Sequence, residues 1–297
     1  MASKKYFERL LIVVGLFFIF FVITMVSLPL LIRVFHIDNS TREGMLFTSV
    51  YQAVMMFICP ALVSSKIISR RPFQFLMLTN APSFLSILGI CFAYLISLPA
   101  LNQIIYWNSV ISFPESLAYW GEIFRELEDK ALAATEVMLK TDSVGGLITN
   151  ILVVALITAF GEEIFFRGAL QTTSASSGAW HTSIWVVAIV FSAMHFQFFG
   201  FIPRLLLGAW FGYLLYWTRS LYAPIIAHFI NNGVVVVCNW LAGRGVDINF
   251  DNIGVCESGF PIAAFVSALA FIVFVIYFKS FFFGTSDIKK REVVEYV

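Results

Sequence analysis

Eight apolar runs separated by short charged loops constrain this chain more than any other feature. They fall at 10–32, 45–63, 84–105, 147–171, 184–199, 205–217, 222–241 and 260–283. A bilayer hydrocarbon core about 30 Å thick is crossed by about 20 helical residues, and most of the runs approach that length. An ordinary soluble domain is about 25% charged, whereas this chain is 12% charged and 60% hydrophobic, with 33 Phe. Such a sequence cannot fold around a single water-facing core. In lipid, a spanning segment must satisfy its own backbone hydrogen bonds. The expected fold is therefore all-α, a polytopic integral membrane helical bundle of about eight transmembrane helices.

Charge placement gives the expected orientation. Lys4, Lys5 and Arg9 precede the first run; Lys66, Arg70, Arg71, Arg219, Lys279, Lys289, Lys290 and Arg291 fall on alternate ends of later ones. By the excess of basic residues on cytoplasmic loops, both termini are expected in the cytoplasm. The first run lacks a small-residue cleavage boundary and reads as a retained helix. A net charge of +1 is too small for a nucleic-acid partner, which needs a concentrated basic surface. The partners implied are the lipid bilayer and a peptide or protein reaching a buried site from the cytoplasmic side.

Three parts follow: residues 1–144, with three spans and an outer polar segment; 145–241, with four spans; and 242–297, with an outer loop, the last span and a basic tail. The outer segment 112–142 repeats Leu117, Trp120, Ile123, Phe124, Leu127, Leu132 and Val137 mostly at three- and four-residue steps. That spacing predicts an amphipathic helix lying against the membrane or the bundle, or a solvated connecting helix. The four cysteines form no CxxC pair, which removes a zinc-ribbon or redox-motif reading. Cys238 and Cys256 fall where an outer-side disulfide would depend on Cα geometry.

Ionisable side chains at membrane depth are costly and mark functional sites. The fourth run contains Glu162, Glu163 and Arg167, the fifth ends at His195, and the seventh holds His228 and Asn232. His36 and His181 are assigned to loops without partners. In a helix, residues four apart share a face, so Glu163 pairs with Arg167, Phe191 with His195, and His228 with Asn232. Glu162 lies about 100° around the helix from Glu163. It is thus expected to point into the bundle while Glu163 is held by Arg167. Measured at about 1.5 Å per residue, the three stretches can meet in one layer below the cytoplasmic surface. A buried carboxylate beside a histidine is suited to deprotonate and orient a water. A second histidine with an amide supplies donors to a developing oxyanion. Together they amount to amide hydrolysis.

The ordered motifs EExxxR, FxxxH and HxxxN resemble the CAAX-protease and bacteriocin-processing (Abi) family of intramembrane endopeptidases over residues 145–232. The resemblance implies that Glu162 with His195 activates water, that His228 with Asn232 stabilises the oxyanion, and that Glu163 and Arg167 support them. No cofactor is expected, because Asn232 is a poor zinc ligand and a good amide donor, and the expected location is a bacterial plasma membrane. A zinc-dependent protease is the mechanistic alternative, because Glu162, His195 and His228 would make a three-ligand set; the HExxH signature is absent. A non-enzymatic binding or immunity protein is the alternative from another class. No GxSxG pattern accompanies the histidines. The family acts on prenylated CAAX tails, bacteriocins or leader peptides, and the sequence does not choose among them.

Overall fold

The computed structural model describes residues 2–175, 178–246 and 250–283. The chain forms helices α1 (Ala2–Val34), α2 (Arg42–Ile68), α3 (Phe84–Ser109), α4 (Ala118–Leu139) and α5 (Val144–Ser174). They are followed by α6 (Trp180–Ala193), α7 (Phe201–Thr218), α8 (Tyr222–Ala242) and α9 (Ile262–Phe283). Among the described residues, seven helices are long and apolar enough to cross a membrane: all of these except α4 and α6. The protein is an integral membrane helical bundle. The tail residues Lys289, Lys290 and Arg291, on which the orientation expectation partly rests, lie outside the described residues.

Helix starts are set locally. Thr41, Ser83 and Ser143 each cap a helix by accepting from the backbone N–H three residues on, at 3.2, 3.1 and 2.9 Å, which satisfies donors that the first helical turn leaves free. Arg42 joins the starts of α2 and α5 by donating to the Asn150 side chain at 2.8 Å and the Gly146 carbonyl at 3.0 Å. Asn150 in turn donates to the Leu139 carbonyl at 2.9 Å. The amphipathic segment thus forms a helix, α4, fastened to the bundle at its C-terminal end.

Parts of α2 and α5 are wound wide, with i→i+5 geometry: Ala53–Ile58 in α2, and Ile151–Ile157 and Ile164–Gln171 in α5. Wide turns are rare and concentrate at functional sites. Here they bracket Thr158–Glu163, the α-helical turn that carries both glutamates. Thr158 and Thr172 donate their hydroxyls five residues back, to the carbonyls of Val153 and Arg167, each at 3.1 Å.

α6 packs closely against α7 because α7 presents Gly208 and Gly212, a small-xxx-small pair of the kind that lets membrane helices approach. A Cβ at Gly208 would stand 3.1 Å from the Phe191 ring; one at Gly212 would stand 2.9 Å from Ile184 and 2.8 Å from Gln171 Oε1. The approach brings two α7 carbonyls within reach of α5. Arg167 donates to Gly208 at 3.0 Å and Gln171 to Gly212 at 3.1 Å. A hydrophobic core that includes Phe165, Phe166, Ile184, Phe191, Leu215 and Leu221 surrounds these bonds.

Two expectations are corrected. The fifth run was expected to be helical over 184–199, but α6 ends at Ala193. Phe196 then takes a left-handed φ of 55°, and the Ser192 hydroxyl reaches across to the Phe201 carbonyl at 2.7 Å. His195 therefore sits on a turn and not in a helix. His181 belongs to the first turn of α6, with its Nδ1 3.1 Å from the Tyr213 hydroxyl, so it is not a loop residue without a partner. Cys238 and Cys256 are free thiols.

Candidate active site

The structure brings Glu162, Glu163, Arg167, His195 and His228 to one place, from α5, the turn after α6, and α8. Glu163 and Arg167 have no exposed side-chain surface. Their i,i+4 spacing gives the expected pair, with Arg167 Nη1 donating to Glu163 Oε1 at 2.8 Å. Burying two opposite charges is tolerable only when further partners satisfy them. The second Nη of Arg167 finds the Gly208 carbonyl, and its guanidinium lies over the Phe191 ring, 4.4 Å from the centroid.

The same Glu163 oxygen also lies 2.9 Å from His228 Nδ1. An ionised carboxylate only accepts, so Nδ1 carries the proton and Glu163 orients the imidazole. His228 is held from the side by Phe211, stacked at 5.0 Å with an interplanar angle of 17°, and its Nε2 stands 3.9 Å from Glu162 Oε2. That is an ion-pair distance, longer than a hydrogen bond. Glu163 is held by Arg167 as expected, and it also engages a histidine: His228 lies between the two adjacent glutamates and approaches both. The 100° offset separates the carboxylates around the helix, but one ring with two nitrogens spans the gap.

Glu162 differs from its neighbour. The Oε2 of each is buried without a hydrogen-bond partner, but Glu163 Oε1 accepts from Arg167 and His228, whereas among the described residues no protein hydrogen bond reaches Glu162. His195 is half-buried and turns Nδ1 to the Phe191 carbonyl at 2.8 Å, which leaves Nε2 free; its charged and titratable neighbours are Glu162, Arg204 and His228. The i,i+4 relation to Phe191 survives the loss of helix, because the two rings still meet at 5.0 Å.

Asn232 lies on α8 one turn beyond His228. Its amide donates to the Val154 carbonyl of α5 at 3.4 Å and its oxygen accepts from Asn231 at 3.1 Å. Among the described residues no hydrogen bond joins Asn232 to Glu162, His195 or His228. Residues that the motifs do not contain also belong here. Gly208 accepts from Arg167, a role whose sequence signal was the GxxxG spacing; Phe211 stacks on His228, and Arg204 is a cation facing Glu162.

A buried Glu–Glu–Arg–His cluster inside a helical membrane bundle defines a class, a membrane protein with an intramembrane polar site. Residues 144–234, which contain the whole cluster, match the family described as type II CAAX prenyl endopeptidase Rce1-like. The uncharacterized protein YpbD of Bacillus subtilis (strain 168) is 34% identical over 91 residues, which are 29% of this chain and 44% of YpbD. The chain thus spans less than half the length of the curated relative it matches. No solved structure matches it at the same significance.

Proposed function

We propose that this chain is an intramembrane endopeptidase that hydrolyses a peptide bond with an activated water. The carrying observation is that a buried carboxylate without a protein hydrogen bond, Glu162, lies 3.9 Å from His228 and has His195 as a titratable neighbour, within the stretch that matches the Rce1-like family. Glu162 with the free Nε2 of His195 takes a proton from water. His228 presents Nε2 on the opposite side as a donor to the carbonyl oxygen as it becomes negative, and Asn232 adds an amide from the next turn. With Nδ1 already donating to Glu163, an Nε2 donor requires the doubly protonated ring.

The reading is metal-free. Glu162, His195 and His228 are the residue types a zinc site would use, but the HExxH signature is absent and Asn232 is a poor zinc ligand and a good amide donor. The substrate we propose is a membrane-associated peptide end approaching from the cytoplasmic side in a bacterial plasma membrane. α4, which carries the acidic excess of the outer segment, packs against the 198–200 turn, and this favours an approach from the opposite face.

The test uses purified full-length protein in lipid nanodiscs, with a farnesylated CAAX reporter peptide, its unprenylated twin, and quantitative terminal proteomics of membranes. Cleavage of a substrate should disappear in Glu162→Gln and His195→Ala. Wild-type processing by both variants would rule out the protease reading in favour of a binding protein.

A further inference from the structure

The backbone of the turn that carries His195 is closed by its own bonds, from the His195 N–H to Ser192 at 3.3 Å and the Phe196 N–H to Ala193 at 3.1 Å. α6 has ended, Phe196 adopts a backbone conformation that L-residues rarely take, and its side chain is exposed. Beyond the bond from His195 to Phe191, the described side-chain hydrogen bonds to residues 195–197 all run through Gln197. Its Nε2 donates to Glu128 Oε1 at 3.0 Å, its Oε1 accepts from Arg204 Nη2 at 2.8 Å, and its backbone carbonyl lies 3.5 Å from Arg204 Nη1. A carboxylate only accepts and a guanidinium only donates, so the two partners fix which way round the amide lies. A side chain with one donor end and one acceptor end is what this position requires.

Glu128 comes from α4, the amphipathic helix outside the spanning set, and is buried there. Its other oxygen, Oε2, is buried without a hydrogen-bond partner, so the main compensation for its charge is Arg204, whose charged neighbours are Glu128 and Glu162. The segment just beyond Gln197 is fixed from other helices. Asn108 of α3 donates to the Phe198 carbonyl at 3.1 Å and accepts from the Ile202 N–H at 2.7 Å, while Phe124 of α4 stacks on Phe198 at 5.1 Å. Residues 195–197 are the part that depends on Gln197.

We propose that Gln197 is the positioning residue for His195, and that Glu128 and Arg204 clamp it, so that α4 sets the geometry of the catalytic turn. This inference rests on the reading of His195 as a catalytic group. A misplaced general base loses rate while substrate binding elsewhere is retained. Gln197→Ala and Glu128→Ala should therefore lower kcat by about tenfold to a hundredfold, with KM within about twofold. Glu128→Gln keeps an acceptor for the Gln197 amide and should restore most of the rate.

The experiment pairs these rates with hydrogen–deuterium exchange of the full chain in nanodiscs, which needs no substrate. Peptides covering 194–197 should exchange faster in Gln197→Ala and Glu128→Ala, and at the wild-type rate in Glu128→Gln, while α5 and α8 remain protected in all three. Unchanged exchange at 194–197 in both alanine variants overturns the proposal, as does a Glu128→Gln protein as impaired as Glu128→Ala. If wild type cleaves nothing while the exchange pattern holds, the protease reading fails and the clamp stands.

Discussion

His228 donates its Nδ1 proton to Glu163 at 2.9 Å, across the α5–α8 contact and inside the bundle. This bond makes Glu163 the orienter of a histidine as well as the partner of Arg167, and it separates the two glutamates by role. Glu163 is used by the fold, while on the proposed reading Glu162 is the carboxylate left for chemistry.

The separation predicts different outcomes for the same substitution. Glu163→Gln leaves the Arg167 guanidinium buried without a countercharge, a loss of about 3–5 kcal/mol. Glu162→Gln removes no protein hydrogen bond, only the 3.9 Å approach to His228, and should cost clearly less stability. Thermal unfolding in detergent, followed with peptidase rates, should show activity lost in both variants and the larger loss of stability in Glu163→Gln.

Arg167→Lys should behave as a damaging change despite the retained charge. The planar fork reaches Glu163 with one nitrogen and the Gly208 carbonyl with the other, at 2.8 and 3.0 Å, whereas an ammonium presents a single point. We expect a loss of about 1–3 kcal/mol, the cost of a buried acceptor without its donor, measurable as a lower midpoint of denaturation.

At the α6–α7 contact, Gly212→Val places methyl groups where Ile184 and Gln171 already stand within 3 Å of the nearest added carbon. Overpacking of this kind costs about 1–3 kcal/mol. It also pushes α7 away from the Gln171 amide. The expected signs are reduced membrane yield and faster exchange of α6, with Gly145→Val, where the added carbon meets open space, as the control for a glycine replaced without crowding.

The oxyanion reading makes Asn232→Ala a rate variant. Loss of one such donor typically costs about 10²–10³ in kcat. Because the Asn232 amide makes only a long bond to Val154 in the resting protein, 3.4 Å, stability should change little. A variant with full kcat would remove Asn232 from the mechanism and leave His228 as the sole oxyanion donor.

Metal removal distinguishes the remaining chemistry. Under the proposed metal-free mechanism, dialysis against 1,10-phenanthroline should leave cleavage unchanged. Inhibition reversed by added zinc would overturn the metal-free mechanism.

The bundle was legible in the sequence because apolar runs and loop charges report the bilayer directly. The Glu163–Arg167 pair was legible for the same kind of reason, since four-residue spacing is a property of one helix. What depends on two helices was not. His228 meeting Glu163 requires α5 and α8 to be in register, and nothing in either run encodes that. The end of α6 was hidden by composition: Phe196, Phe198, Phe199 and Phe201 prolong the apolar run past the last helical residue, and the break comes from a backbone turn and the bond from Ser192 to Phe201. The GxxxG spacing of Gly208 and Gly212 was visible, but its use as a pair of acceptors appears only when Arg167 and Gln171 are seen to face it.

α6 has 14 residues, about 21 Å of helix against a hydrocarbon core of about 30 Å, and its outward side chains Trp185, Val186 and Ile189 are exposed. A helix this short falls about 9 Å short of the core, a mismatch that bilayer thinning, flanking side chains or neighbouring helices can take up. On the proposed reading, acyl-chain length would then bear on the turn that carries His195, with shorter-chain lipids matching α6 better than longer-chain ones.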